Sequence, residues 1–152
     1  MTRQEGCIFC DIVAEDISAD VVYRDRTVLA FLDANPLAPG HTLVIPTDHQ
    51  GVLTELDEEI ASDLGSAIVR VTSAVERAMD ADGSTVGFNN GSAAGQAVPH
   101  VHCHIIPRHE DDGGSNLHAI LSDHSAASGS DADEVGHAIR SELTSSTNEP
   151  SP

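Results

Sequence analysis

Pro99-His100-Val101-His102-Cys103-His104-Ile105-Ile106-Pro107-Arg108 decides how the rest of the chain is read. Apolar residues alternate with three imidazoles, and a proline stands near either end, where it punctuates a strand without interrupting it. Successive side chains of a strand point to opposite faces, so His100, His102 and His104 share one face and Val101, Cys103 and Ile105 the other. As a helix, the stretch would send His100 and His102 apart. A single histidine on a strand is most often a surface or core residue. Three on one face are different, because each buried imidazole needs a hydrogen-bond partner and all three repel when protonated. Imidazole offers a nucleophilic or metal-binding nitrogen near neutral pH, and a second nitrogen through which a neighbour fixes its tautomer. Spacing alone leaves a nucleophile and a catalytic zinc both open.

Immediately upstream, Asn90-Gly91-Ser92-Ala93-Ala94-Gly95-Gln96-Ala97-Val98 reads as a small-residue loop leading into the histidine strand. Backbone N–H groups in such a loop approach an anion closely and supply positive potential without a charged side chain. Ser84 to Asn89 reads as the strand before it. Further upstream, Asp57 is an N-cap candidate with Glu58 and Glu59 in the first turn, where they complement the helix dipole. From there Ile60, Leu64, Ala67, Ile68, Val71, Val75, Ala78 and Met79 recur at helical spacing, predicting one long amphipathic helix that stops near Asp82-Gly83.

Val21–Tyr23 and Thr27–Leu32 predict a hairpin around Arg24-Asp25-Arg26, and His41–Pro46 a third strand that starts on a histidine. Between them Asp33–Gly40 is a loop by its prolines and glycine. Cys7-Ile8-Phe9-Cys10 opens the ordered part, with Ile8, Phe9 and Ile12 directed at the core. A Cys-x-x-Cys pair can hold half a tetrahedral zinc site or act as a redox pair. Beyond Arg108 the chain turns polar. It divides into a domain over 1–110, an acidic surface segment over 111–130, a short helix over 131–143 with Val135, Ile139 and Leu143 on one side, and a disordered tail over 144–152. His118, His124 and His137 are read as surface residues.

The 152 residues fit one domain large enough to bury a core without disulfides. No apolar run is long enough for a membrane helix and the first residues lack a signal-peptide core, so a cytoplasmic protein is expected. Acidic residues outnumber basic ones 25 to 7, a net charge of −18 that argues against nonspecific binding to nucleic acid or an anionic membrane. All the basic residues are arginine, and this surface points to a halophile's salt-loaded cytoplasm, where ionic strength screens self-repulsion. A phosphate-binding pocket would have to reverse that field locally.

His100-Val101-His102-Cys103-His104-Ile105-Ile106 resembles the His-φ-His-φ-His-φ-φ motif of the histidine triad (HIT) superfamily. Pro39-Gly40-His41-Thr42-Leu43-Val44-Ile45-Pro46 and Asn89–Gln96 are similar to its other signatures, in the same order. The likeness covers Cys7 to His109, and Val101 sets the chain apart from the uridylyltransferase branch. The resemblance implies an α+β, HIT-like fold: an antiparallel sheet of about five strands packed against one long helix, with a short C-terminal helix. It implies a homodimeric nucleotide hydrolase or transferase that cleaves a purine nucleotide conjugate at the α-phosphate, such as an adenosine phosphoramidate, with dinucleoside polyphosphate hydrolysis or a slow nucleotide-binding regulatory module as the alternatives.

By the same resemblance His102 is the nucleophile, protonated His104 offsets charge on the phosphate, and His41 supports the triplet. Asn89, Gly95, Gln96 and Val98 line the phosphate and leaving group. Ile8, Phe9, Ile12 and Phe31 enclose the base, and Asp33 accepts hydrogen bonds from the ribose. Cys7, Cys10, His49 and His100 form a closed set for a structural Zn2+. Ala97 departs from the hydroxyl-bearing residue common at its position in the phosphoramidase branch.

Overall fold

The structure is a computed structural model that describes residues 2–146. Its first compact unit runs through Gly114 and its second begins at Ser115. In the first, helix α1 (Ile8–Val13) is followed by strands β1 (Val21–Arg24), β2 (Val28–Leu32) and β3 (Thr42–Pro46), helix α2 (Glu58–Ala78), and strands β4 (Gly83–Gly87) and β5 (Cys103–Arg108). The five strands form one antiparallel sheet in the order β1-β2-β3-β5-β4.

Register gives the sheet two apolar faces. Val28, Ala30, Val44, Cys103 and Ile105 pack with Val101 beneath Leu64, Ala67, Val71 and Val75 of α2, which lie on one helical stripe. Leu29, Phe31, Leu43 and Ile45 face the other way and pack against Cys7, Phe9, Cys10, Ile12 and Val13 around α1. The Asp57 carboxylate accepts the Ile60 N–H at 2.8 Å, capping α2 at the predicted place. The helix ends at Ala78, a few residues before the expected stop, and Ala78 itself is exposed.

The expected histidine strand is shorter than its motif. The ladder begins at Cys103, and His100 to His102 lie ahead of it. The alternation of faces nevertheless persists through that stretch, because Val101 is buried beneath α2 while Phe9, on the α1 face, packs against both His100 and His102. His41 likewise precedes its strand. It is odd-numbered like Leu43 and Ile45, and its ring meets His104, which pairs with Leu43 across β3 and β5. Gly40, at φ +91°, makes that entry possible: a Cβ there would lie 2.5 Å from Met79 Cγ.

In the second unit, α3 (Ser125–Ser128) precedes α4 (Ala132–Ser146). Thr144 to Ser146, assigned to a disordered tail from sequence, continue α4, while the remainder of that tail lies outside the described residues. Val135, Ile139 and Leu143 are exposed along α4. No helix among the described residues is long and apolar enough to cross a membrane.

Candidate active site and metal-binding cluster

The histidine rings are each fixed by one nitrogen. His102 Nδ1 lies 2.7 Å from the His100 carbonyl oxygen, which can only accept, so Nδ1 carries the proton and Nε2 is left with its lone pair. His100 Nε2 donates to the Pro46 carbonyl at 2.8 Å, freeing Nδ1. His41 Nδ1 accepts the Leu37 N–H at 3.0 Å, so its proton sits on Nε2 and is donated to His104 Nδ1 at 2.9 Å. That leaves His104 with an N–H on Nε2. Two main-chain groups, the His100 carbonyl and the Leu37 N–H, thus produce a nucleophilic nitrogen at position 102 and a hydrogen-bond donor at 104, while the Pro46 carbonyl fixes His100.

Burial lowers the pKa values of His41 and His104 below the ordinary histidine value. Asp33 partly opposes this at both rings, and at His104 the neighbouring His102 and His41 reinforce it. In the free site these shifts disfavour the charged form of the His104 expected from sequence to be protonated beside a phosphate, and the Nε2 N–H of His104 is a donor in either form. Asp33 lies 3.5 Å from His41 Nε2, and its other oxygen accepts the Asn35 N–H at 2.9 Å.

The rings of the triplet do not converge on a shared metal. His100 Nδ1 turns instead toward sulfur, 3.5 Å from Cys7 Sγ and 3.6 Å from Cys10 Sγ, and Cys10 Sγ is 3.4 Å from His49 Nδ1. The four donor atoms lie within 4.8 Å of one another. Bonds of about 2.3 Å to sulfur and about 2.0–2.1 Å to nitrogen around a tetrahedral ion imply S···N edges of about 3.5 Å. The cluster has that size and that donor set, so it could hold zinc. Burial, reinforced by His49 and His102 and partly opposed by the bond to the Pro46 carbonyl, pulls the His100 pKa down to about 4 and leaves its Nδ1 lone pair available. Asp33, His41 and His104 also sit within 4.8 Å of one another, but His41 and His104 already spend their facing nitrogens on each other.

Gln96 ties the small-residue loop down. Its Nε2 donates to the Gly51 carbonyl at 2.7 Å and the Val98 carbonyl at 2.9 Å, and its Oε1 accepts the Gly91 N–H at 2.7 Å. With both amide hydrogens occupied, it shapes the loop and has no donor left for a phosphate. Gly95 closes the turn at φ +87°. Among the described residues neither the Ala97 nor the Val98 N–H finds an acceptor within the chain. Asn89 and Gln96 line a small cavity that His102 also borders.

The residues expected around a base are brought to the α1 face in different roles. Phe9, Ile12 and Phe31 are buried, with Phe9 edge-on to Phe31 and its ring 5.2 Å from that of His102. Ile8, expected to pack inward, is 46% exposed at the first position of α1. With Val98 it borders a cavity of about 580 Å³ that also reaches Cys7 and His49. Asp33 and His41 border a different groove, beside α2. The main-chain groups of Leu37, Pro46 and His100 that set the tautomers carry no signature in side-chain sequence.

The model of the HIT domain matches residues 14–111. The chain belongs to the HIT family. An uncharacterized HIT-like protein of Methanocaldococcus jannaschii is 48% identical over 108 residues, covering 70% of this chain and 82% of that protein. An adenylylsulfatase of Arabidopsis thaliana is 38% identical, over 73% of this chain and 56% of its own length. A bis(5'-nucleosyl)-tetraphosphatase of Schizosaccharomyces pombe is also 38% identical, over 66% and 55%. Among solved structures, a HIT family member from Bacillus subtilis superposes with TM-score 0.78 at 35% identity, over 97% of this chain and 100% of that one. A zinc-bound histidine triad protein of Mycobacterium smegmatis gives TM-score 0.69 at 38% identity, over 72% and 80%. The α+β fold of this HIT protein is thus shared with solved relatives, and its family includes nucleotide hydrolases.

Proposed function

We propose that this HIT protein is a nucleotidyl hydrolase that cleaves a purine nucleotide conjugate at its α-phosphate through a covalent adduct on His102. The observation that carries this is the 2.7 Å contact of His102 Nδ1 with the His100 carbonyl, which presents the Nε2 lone pair as nucleophile. Nε2 attacks phosphorus, the bond to the leaving group breaks, and the leaving group departs with a solvent proton. Water then attacks the adduct, the P–N bond breaks, and a nucleoside monophosphate is released. His104 donates from Nε2 to a nonbridging oxygen, and the unpaired Ala97 and Val98 N–H groups do the same work that a hydroxyl at 97 does elsewhere. Asp33 meets the ribose hydroxyls, with Phe9, Ile12 and Phe31 against the base.

A phosphoramidate with a neutral or cationic amine fits better than a second nucleotide. The cavity beside Ala97 and Val98 does not reach His102 or His104, but it is bordered by Glu5 and Glu55 and by no arginine, so a polyphosphate chain directed into it would meet repulsion. Dinucleoside polyphosphate hydrolysis remains the second reading, favoured by the similarity to the tetraphosphatase. We further infer that Cys7, Cys10, His49 and His100 hold a structural zinc. When bound, it would cross-link α1 to the His100 segment, and a full set of four protein ligands leaves no position for substrate. The free edge of β4 suits pairing with a second copy into a homodimer.

The test is turnover at high salt of an adenosine phosphoramidate and a diadenosine polyphosphate, each monitored for AMP, with the adduct sought by mass spectrometry. His102→Ala is expected to abolish the adduct and lower turnover by at least about a hundredfold. Unchanged turnover in that variant rules out the nucleophile assignment. AMP binding with no turnover of either substrate favours a regulatory module.

A further inference from the structure

We propose that Cys7 and Cys10 are a peroxide-sensitive dithiol whose oxidation to a disulfide disarms the nucleophile. The inference rests on the metal reading above only for what the thiols hold in the reduced state. Cys7 immediately precedes α1 and Cys10 lies in its first turn. Their sulfurs approach the same His100 nitrogen at 3.5 and 3.6 Å, and all donor atoms of the cluster lie within 4.8 Å of one another. A short movement therefore brings them to bonding distance, about 2.05 Å for a disulfide. The cavity of about 580 Å³ that borders Cys7 and His49 gives a small oxidant a way in.

Cys103 is the internal contrast. All three cysteines are buried, but Cys103 lies on the opposite face of the sheet beneath α2, away from the cavity that reaches Cys7.

The chemistry balances with a peroxide as the oxidant. The Cys7 thiolate attacks the O–O bond, giving a sulfenic acid and hydroxide, and the Cys10 thiolate then displaces a second hydroxide to form the S–S bond. Two electrons pass from the sulfur pair to peroxide, which becomes two hydroxides.

Closure acts on the active site by two routes. It withdraws two of four donors from the metal, so the ring of His100 keeps only its bond to Pro46, while the carbonyl of the same residue is what fixes His102. It also pulls tight the segment between the two cysteines, and Phe9 in that segment packs edge-on against the His102 ring. C-x-x-C is thus placed where a bond between its ends repositions a wall of the site.

The experiment uses the full chain loaded with zinc and titrated with hydrogen peroxide, then blocked with an alkylating agent. Three readouts are taken together: peptide masses, metal released to a chromogenic chelator, and AMP affinity by calorimetry. The expected result is a Cys7–Cys10 disulfide formed in step with metal release, with Cys103 still alkylated after unfolding. AMP affinity should fall about tenfold, as loss of one aromatic wall contact implies, and return with a thiol reductant and zinc. Cys103→Ala should respond as the wild type does, which keeps the test sound if Cys7→Ser does not fold. Both cysteines remaining alkylated under excess peroxide overturns the proposal, as does a disulfide that leaves AMP affinity unchanged. A metal-free protein that forms the disulfide and loses affinity supports the switch while refuting the zinc assignment.

Discussion

Replacing Gln96 by glutamate distinguishes a side chain that shapes the loop from one that touches phosphate. Glutamate keeps an acceptor for the Gly91 N–H but loses both donations, to Gly51 and Val98, and sets a carboxylate oxygen against their carbonyls. Each lost neutral hydrogen bond is worth about 1 kcal/mol net, and two acceptors left facing a negative charge add a comparable amount, for a total of about 2–4 kcal/mol. For a chain of this size that is a fall in melting temperature of about 6–15 °C. The two carbonyls would also raise the pKa of the new carboxyl. Protonation restores one donor, so the gap between variant and wild type should narrow as pH is lowered toward about 5. Thermal melts at several pH values, hydrogen exchange of residues 91–98 and steady-state turnover are the measurements. A variant with wild-type melting and wild-type exchange in that loop, but impaired turnover, would mean that Gln96 acts on the substrate and that its three bonds are incidental.

Three other outcomes are expected. His41 and His104 are held below the ordinary histidine pKa chiefly by burial, so the native state binds fewer protons than the unfolded chain. Stability should therefore rise with pH up to about 6.5 and fall below it, by at most about 1.4 kcal/mol per pH unit for each ring, read from denaturant midpoints at pH 7.5, 6.5 and 5.5. Asp57→Ala removes the cap on the Ile60 N–H and should cost about 1 kcal/mol in denaturant melts while leaving AMP affinity unchanged. Chelator treatment of the zinc-loaded protein should lower its melting temperature reversibly; an identical melt before and after metal removal would count against a structural role for the four-ligand cluster.

The elements were legible because their local signals agree with the global packing. The spacing of Leu64, Ala67, Val71 and Val75 names the buried stripe of α2, and alternation through His100 to Ile105 assigns two faces even where the ladder has not yet begun. Chemistry was less legible. Which ring nitrogen is free depends on the Leu37 N–H and the carbonyls of Pro46 and His100, and a backbone group looks the same in every residue. The downward shift at His104 was not legible for a related reason: its burial comes from closure of the sheet, which also brings His41 within 2.9 Å from 63 positions away. Gln96 matched a phosphate-lining position by sequence, whereas its three bonds are all internal.

The division of labour between alternate residues of one short stretch has a practical consequence. Leu64, Ala67 and Val71 meet Val101 and Cys103 on the side away from the imidazoles. Substitutions under that helix and substitutions among the histidines share few partners, so their free-energy effects should add to within about 0.5 kcal/mol. A laboratory wishing to toughen this protein could therefore work beneath Leu64 and Ala67, clear of the groove that Val71 and Val75 share with Asp33 and His41, and expect little change at the imidazoles.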